Sequence, residues 1–346
     1  MKKIISIPVY ILVTVLCSMF VVSCSEDSPV TPNEEGPYQF DSARYEYKVT
    51  RLQGELYFTG ELWSQDTSEV FIVNPFNQRF VHIVEGLPTY YYDPGFNPAT
   101  VSGFSNSEVY LGGYLEIGNI IKPGIKKWNG SYLEDFPIDL NFKKTTFINK
   151  SLIKSSSDMW LLCNNVIIRK DGSKFLTYTL EDTVSKILDA CYDINGIPTY
   201  SQIFLNSDLD SMQTIKIYKF YGKWTKVFEA REEILLYTYS KFDNNICRRD
   251  LHNVFLFNGS NFSQFFSTDI LRMYRIQGFG DQNLMVNSVN RDGYTIFNWN
   301  GLKWSQEFSV IGTGNNIYPI NDNLYYFTYE NDTQQHTDIV RAYKKK

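Results

Sequence analysis

The chain has 346 residues, a formal charge of −5, 43% apolar and 21% charged residues. Disorder needs low hydrophobicity with high net charge, and a polyanion-binding face needs clustered Lys and Arg, so disordered and nucleic-acid-binding classes are set aside. Three widely separated histidines, His82, His252 and His336, argue against a His-based catalytic centre or a zinc site.

Met1-Lys2-Lys3 precedes an almost unbroken apolar run from Ile4 to Val22. A basic start before such a run is a secretory signal; a transmembrane anchor is the alternative, since a bilayer needs ~20 apolar residues. Val21-Val22-Ser23-Cys24 resembles the lipobox of bacterial lipoproteins, with Val21 where Leu is commonest. The resemblance implies cleavage before Cys24 and acylation there, palmitate included, so that the protein meets the membrane through a lipid anchor. Cleavage removes Lys2 and Lys3 and no acid, taking the charge from −5 to −7. Plain secretion is the third alternative.

Residues 1–23 are therefore predicted to be a signal peptide. Residues 24–37, with Pro29, Pro32, Glu34, Glu35 and Pro37, are predicted to be an extended tether. Glu26 and Asp27, close behind Cys24, resemble the surface-export signal of some Gram-negative lipoproteins. That implies the outer membrane; periplasmic and outer faces both stay open. Cys163, Cys191 and Cys247 form no CxxC pair, which leaves buried thiols as the expectation and one disulfide as the alternative.

From about residue 60 onward the chain repeats. Lys127-Trp128-Asn129-Gly130-Ser131-Tyr132 recurs around Gly172, Gly222 and Gly259, and most clearly as Asn298-Trp299-Asn300-Gly301-Leu302-Lys303-Trp304. The glycine spacings are 42, 50, 37 and 42; Gly86 lies 44 before Gly130, and the chain ends 45 after Gly301. A second series, a polar residue leading into an aromatic-aliphatic run, places Phe71, Tyr110, Trp160, Tyr200, Tyr237, Met285 and Tyr325 at a similar mean step. Runs such as Val70-Phe71-Ile72-Val73 are strand-like, and Asn-Gly between strands is a hairpin turn. The flanking aromatics are predicted to pair across each hairpin or fill the space between sheets.

Two series with one period of about 43 residues match a four-stranded propeller blade. The turns resemble the propeller repeats of bacterial sensor ectodomains and, loosely, kelch-type blades, without the kelch double glycine. The fold class is thus all-β, a β-propeller of about seven four-stranded blades over 38–346, with six or eight still open. The last unit is one strand short. Arg44–Thr50 alternates as a strand, and is predicted to close the last blade by pairing with it.

Motifs of chemistry are few. Arg169-Lys170-Asp171-Gly172 and Asn290-Arg291-Asp292-Gly293 resemble Asp-box turns but lack the full Ser-x-Asp-x-Gly-x-Thr-Trp pattern, so no sialidase-like role is assigned. Ser207-Asp208-Leu209-Asp210-Ser211 lacks the spacing of an EF-hand and reads as a solvated loop, and Lys344-Lys345-Lys346 as a frayed end. No catalytic residue, metal or cofactor is assigned. The weak ligand-binding candidates are Tyr90, Tyr91 and Tyr92, because adjacent rings in an extended segment cannot all face one core; some are placed at the propeller mouth. The leading reading is a non-catalytic envelope lipoprotein that binds an extracellular glycan or an envelope protein. The alternative is a propeller enzyme, a glycan hydrolase or lyase, which needs two carboxylates converging near the channel.

Overall fold

Period-two alternation of β-branched and aromatic residues becomes strand throughout, and every regular element among the described residues is a β-strand. The computed structural model describes residues 38–40, 44–53, 61–74, 78–138, 146–164, 166–180, 185–205, 212–233, 238–242, 245–268, 273–279, 282–290, 293–310, 313–331 and 336–346. The signal segment, Cys24 and the tether lie outside them.

Two strands come first, β1 (Tyr38–Phe40) and β2 (Tyr45–Gln53). Blade 1 is β3 (Leu62–Trp63), β4 (Glu69–Asn74), β5 (Arg79–Val84) and β6 (Leu87–Tyr92). Blade 2 is β7 (Phe96–Ser105), β8 (Glu108–Ile117), β9 (Ile120–Trp128) and β10 (Leu133–Asp135). Blade 3 is β11 (Ile148–Ser155), β12 (Asp158–Cys163), β13 (Val166–Asp171) and β14 (Lys174–Thr179). Blade 4 is β15 (Ser185–Tyr192), β16 (Pro198–Leu205), β17 (Met212–Phe220) and β18 (Trp224–Glu233). Blade 5 is β19 (Thr238–Phe242), β20 (Asn245–Arg249), β21 (Asn253–Phe257) and β22 (Phe262–Ser267). Blade 6 is β23 (Met273–Gly278), β24 (Leu284–Asn290), β25 (Gly293–Trp299) and β26 (Trp304–Val310). Blade 7 holds β27 (Thr313–Asn321), β28 (Leu324–Asn331) and β29 (His336–Lys344).

Each blade is an antiparallel meander, and the first strands of successive blades touch in a closed circuit, β27 meeting β3. The protein is a seven-bladed β-propeller with its first strands around the axis.

The glycine series falls on one structural position. Gly86, Gly130, Gly172, Gly222, Gly259 and Gly301 all sit in the turn between the third and fourth strands, and all have positive φ. The preceding Asn completes the turn, since Asn129, Asn258 and Asn300 each accept, through Oδ1, from the two amides beyond the glycine. The side chain satisfies the turn's orphan donors while glycine takes the left-handed conformation. The seventh such turn coincides with the chain end. There the fourth strand is β2, paired with β29 from Tyr45↔Lys344 to Gln53↔His336, and Lys345 N donates to the Arg44 carbonyl at 2.7 Å. Closure of the last blade by the N-terminal strand is therefore as predicted. The Lys344–Lys346 end is a correction: Lys344 belongs to β29, because pairing with β2 holds the backbone to that point.

The second series also falls on one position. Phe71, Tyr110, Trp160, Tyr200, Met285 and Tyr325 occupy the second or third place of each second strand, and all are buried. In blade 5 that place belongs to Cys247, fully buried in β20; Tyr237, predicted to fill it, precedes β19 and lies outside the described residues. β1, which adds a fifth strand to blade 6 with Tyr38 opposite Val310, was not legible in the sequence. Three residues are too short a run to show a period.

The core is a set of wedges, one at each blade boundary. Aromatics flanking the turn glycines fill them. Trp128 of blade 2 packs on Phe71, Phe80 and Tyr91 of blade 1, and Trp224 of blade 4 on Trp160 of blade 3. Cys163, Cys191 and Cys247 are buried free thiols in three of these wedges, so the disulfide alternative is not taken.

Candidate functional site

Because the first strands surround the axis, their inward side chains share one space. Register aligns those residues. Glu61, just before β3, hydrogen-bonds through its carbonyl to Val73 N, and Thr100, Lys150 and Arg275 pair with Gly112, Leu162 and Asn287. Each partner lies two positions beyond the buried second-strand residue of its blade, so these four residues stand at one level of the channel. Asp189 and Tyr318, opposite Ser201 and Tyr326, stand one step away.

The groups on one side are joined. Lys150 Nζ lies 2.5 Å from Glu61 Oε1 and 3.8 Å from Asp189 Oδ1. The Thr100 hydroxyl donates to the second oxygen of Glu61. Ser151 Oγ lies 3.1 Å from Thr100 Oγ1 and 2.8 Å from Ser102 Oγ. Blades 1 to 4 are thereby linked across the axis by polar contacts. Lys150 and Glu61 each keep 26% of the side chain accessible, as groups lining a channel do.

Burial alone would lower the Lys150 pKa, but Glu61 and Asp189 outweigh it and hold the ammonium above the ordinary lysine range. Lys150 is thus a fixed positive donor. Tyr318 is pushed up to about 12, first by burial and also by the Glu61 charge, against hydrogen bonds from Asn316 and Thr328 and the opposing Arg275 charge. It remains a neutral phenol. The channel therefore offers an ammonium, two engaged carboxylates, hydroxyls, a phenol and a guanidinium, a set suited to holding a polar ligand.

None of these channel residues was singled out in the sequence. A signal was available: Glu61, Thr100, Lys150 and Arg275 each stand ten positions before Phe71, Tyr110, Trp160 and Met285. A polar residue at that offset, in or just before the first strand of its blade, marks the axis.

The tyrosine candidates lie elsewhere. They end β6, the outermost strand of blade 1, so they sit on the outer rim and not at the channel mouth. Tyr91 turns inward and stacks on Phe80 at 4.6 Å, while Tyr90 and Tyr92 are 40% and 59% exposed. The physical reason is alternation: in an extended edge strand every second ring faces solvent. Of the Asp-box-like turns, Gly172 is an ordinary third-to-fourth strand turn, and residues 291–292 lie outside the described set, as does 207–211. The histidines occupy separate blades; His82 stacks on Phe71 and lies 2.8 Å from Glu69 Oε2. A cleft between blades 7 and 1, lined by Lys48, Thr50, Ser68, Tyr326 and Arg341, is away from the axis. Its cations are engaged by backbone, Lys48 with the Glu85 carbonyl and Arg341 with that of Thr67.

No family model matches this chain, and no curated protein matches it in sequence. Solved structures resemble it in fold. A streptogramin B lyase is 10% identical, covers 86% of this chain and 98% of its own, and gives a TM-score of 0.56. YCF48 bound to D1 peptide is 12% identical, with 88% and 97% covered and a TM-score of 0.59. The extracellular domain of a B. thetaiotaomicron protein assigned to a hybrid two component system is 10% identical, with 83% and 39% covered and a TM-score of 0.51. At such identities the likeness establishes the β-propeller fold alone.

Proposed function

We propose that this protein is a cell-envelope lipoprotein whose propeller binds a ligand in the axial channel without transforming it. The observation that carries the reading is the Glu61–Lys150–Asp189 set. Carboxylate-pair hydrolysis needs one acid kept protonated and the other free to act as nucleophile or base. A single ammonium close to both carboxylates engages them as acceptors instead. The fold does not choose, since a lyase and a peptide-bound protein share it. An extracellular glycan and an envelope protein are the two ligand classes.

Acylation at Cys24 and residence in the outer membrane complete this reading, supported by the lipobox resemblance and the acidic, proline-rich tether. Cys24→Ser is expected to abolish fatty-acid labelling and release the protein from membranes; continued attachment of the variant refutes the anchor. Binding is tested with the released Cys24→Ser protein on a glycan array and in pull-downs from envelope extract. Capture that is lost in Glu61→Gln or Lys150→Met supports the channel. Capture that survives both but is lost in Tyr90→Ala/Tyr92→Ala moves the site to the rim.

The enzyme reading has one observation of its own, the convergence of Glu61 and Asp189 on one Nζ. Release of sugar or unsaturated products from a bound glycan, abolished by Glu61→Gln, would establish it.

A further inference from the structure

The channel is charged unevenly. In blades 1 to 4 its cation is matched by two carboxylates. On the opposite side Arg275 of β23 has no carboxylate partner among the described residues, and its Nε is buried without an acceptor. Its guanidinium lies 5.6 Å over the ring of Tyr274, which holds it in place.

A second guanidinium stands across the blade boundary. Arg249 ends β20 and is only 8% exposed. Its Nη1 donates to the Met273 carbonyl at 3.2 Å, two residues before Arg275, and Met273 N is fixed in turn to the Leu251 carbonyl at 2.8 Å. Arg249 likewise has no carboxylate partner among the described residues. Burial, and then the Arg275 charge, bring its pKa down to about 10. Two like charges held close, one of them buried, are costly unless an opposite charge joins them.

We propose that Arg249 and Arg275 form an anion-binding site at the blade 5–blade 6 boundary, which takes an oxyanion group of the channel ligand. This deepens the binding reading and rests on it: the ligand is acidic, bearing a carboxylate, sulfate or phosphate. Guanidinium forks suit all three, since each presents paired oxygens.

The test uses the full chain purified in detergent at low ionic strength. Glucuronate, inorganic sulfate and inorganic phosphate are titrated by calorimetry, with glucose as the neutral control. The wild type is compared with Arg275→Gln, Arg275→Lys and Arg249→Gln. At least one anion is expected to bind and raise the melting temperature, while glucose does neither; the ranking of the three assigns the source of the oxyanion. Each Gln variant is expected to bind at least about tenfold more weakly, as loss of one charge-assisted bond implies. Arg275→Lys is expected to keep part of the affinity. Without anion, Arg275→Gln is expected to melt no lower than wild type, because removing it relieves repulsion. Silence of all three anions overturns the proposal, as does affinity unchanged by both Gln variants. So does a Gln variant that melts well below wild type without anion, since that marks a structural arginine. Silent anions beside array capture of a neutral glycan, dependent on Glu61, sink this site and leave the binding reading intact. Anion binding lost in the Gln variants, with no capture on array or from extract, upholds the site and sinks the broader reading.

Discussion

Replacing Tyr47 separates the forces that hold the N-terminal strand in the ring. Its hydroxyl donates to Glu307 Oε2 at 2.9 Å, and Glu307 is fully buried, with Ser305 Oγ as another donor at 2.9 Å. Losing a hydrogen bond to such a carboxylate costs about 1.5–3 kcal/mol, so Tyr47→Phe is expected to lose that much. The Tyr47 ring stacks on Phe40 of β1 at 4.7 Å and meets Phe308 of β26 edge-on at 5.1 Å. Tyr47→Ala removes ring and hydroxyl together, and large aromatic truncations in a core cost about 3–5 kcal/mol. With the donor also lost, the expected effect is about 5 kcal/mol, against a total of ~5–15 kcal/mol for a typical domain. The assay is urea unfolding of the full chain, read as a midpoint shift at constant slope. Tyr132→Ala, at a 59% exposed turn position, is the control and is expected to stay within about 0.5 kcal/mol. Deleting residues 38–52 removes the buried Tyr45, Tyr47, Val49 and Leu52 and is expected to lower the melting temperature sharply or cause aggregation. Deleting 25–36 is expected to leave it unchanged. If Tyr47→Ala were as mild as Tyr132→Ala, or both truncations melted alike, β2 would not be closing the ring.

Asp193 accepts from Lys219 Nζ at 2.6 Å and from the turn amides of Asn195 and Ile197. Burial alone would raise its pKa, but these bonds outweigh it and lower the carboxyl. Its contribution is therefore complete above the unfolded value of about 3.9 and is lost as pH falls through the folded one. Asp193→Asn is expected to cost about 3–5 kcal/mol at pH 7 by leaving the buried Lys219 uncompensated, and to flatten the acid limb of a melting-temperature profile. Burial pushes the Cys163 thiol well above its usual range, and Cys191 and Cys247 are buried too. A thiol reagent is expected to label these three only after unfolding, and dithiothreitol to leave the melting temperature unchanged; a reductant-sensitive melt would contradict free thiols. Gly259 has φ +103 with nothing near a would-be Cβ, so Gly259→Ala is expected to cost only the left-handed strain, about 1–2 kcal/mol by urea midpoint.

The blade was legible because its markers are local. Asn300 and Gly301 make their turn with neighbours a few residues away, and Met285 is buried by the strand pattern around it. A repeated hairpin thus writes its period into the chain. Closure by β2 was legible for a related reason: a unit short by one strand and an alternating segment without a partner imply each other. The tyrosines at 90–92 stand on the rim and not at the channel mouth, which a run of rings does not announce because it does not state which strand carries it. That strand's rank in the sheet, outermost in this case, is set by pairing. The channel is the extreme case. Glu61, Lys150, Asp189, Arg275 and Tyr318 come from five blades, and no one of them has a local partner that announces its role. The ten-residue offset that Glu61, Lys150 and Arg275 keep from the buried second-strand position carries the inward direction only once the first strands are known to encircle an axis. Turn chemistry and burial alternation act over a few residues, so sequence alone determined the blade and a count of about seven, which ring closure fixed at seven. Convergence of charges from distant blades depends on ring closure, so only the tertiary structure decided which of them meet.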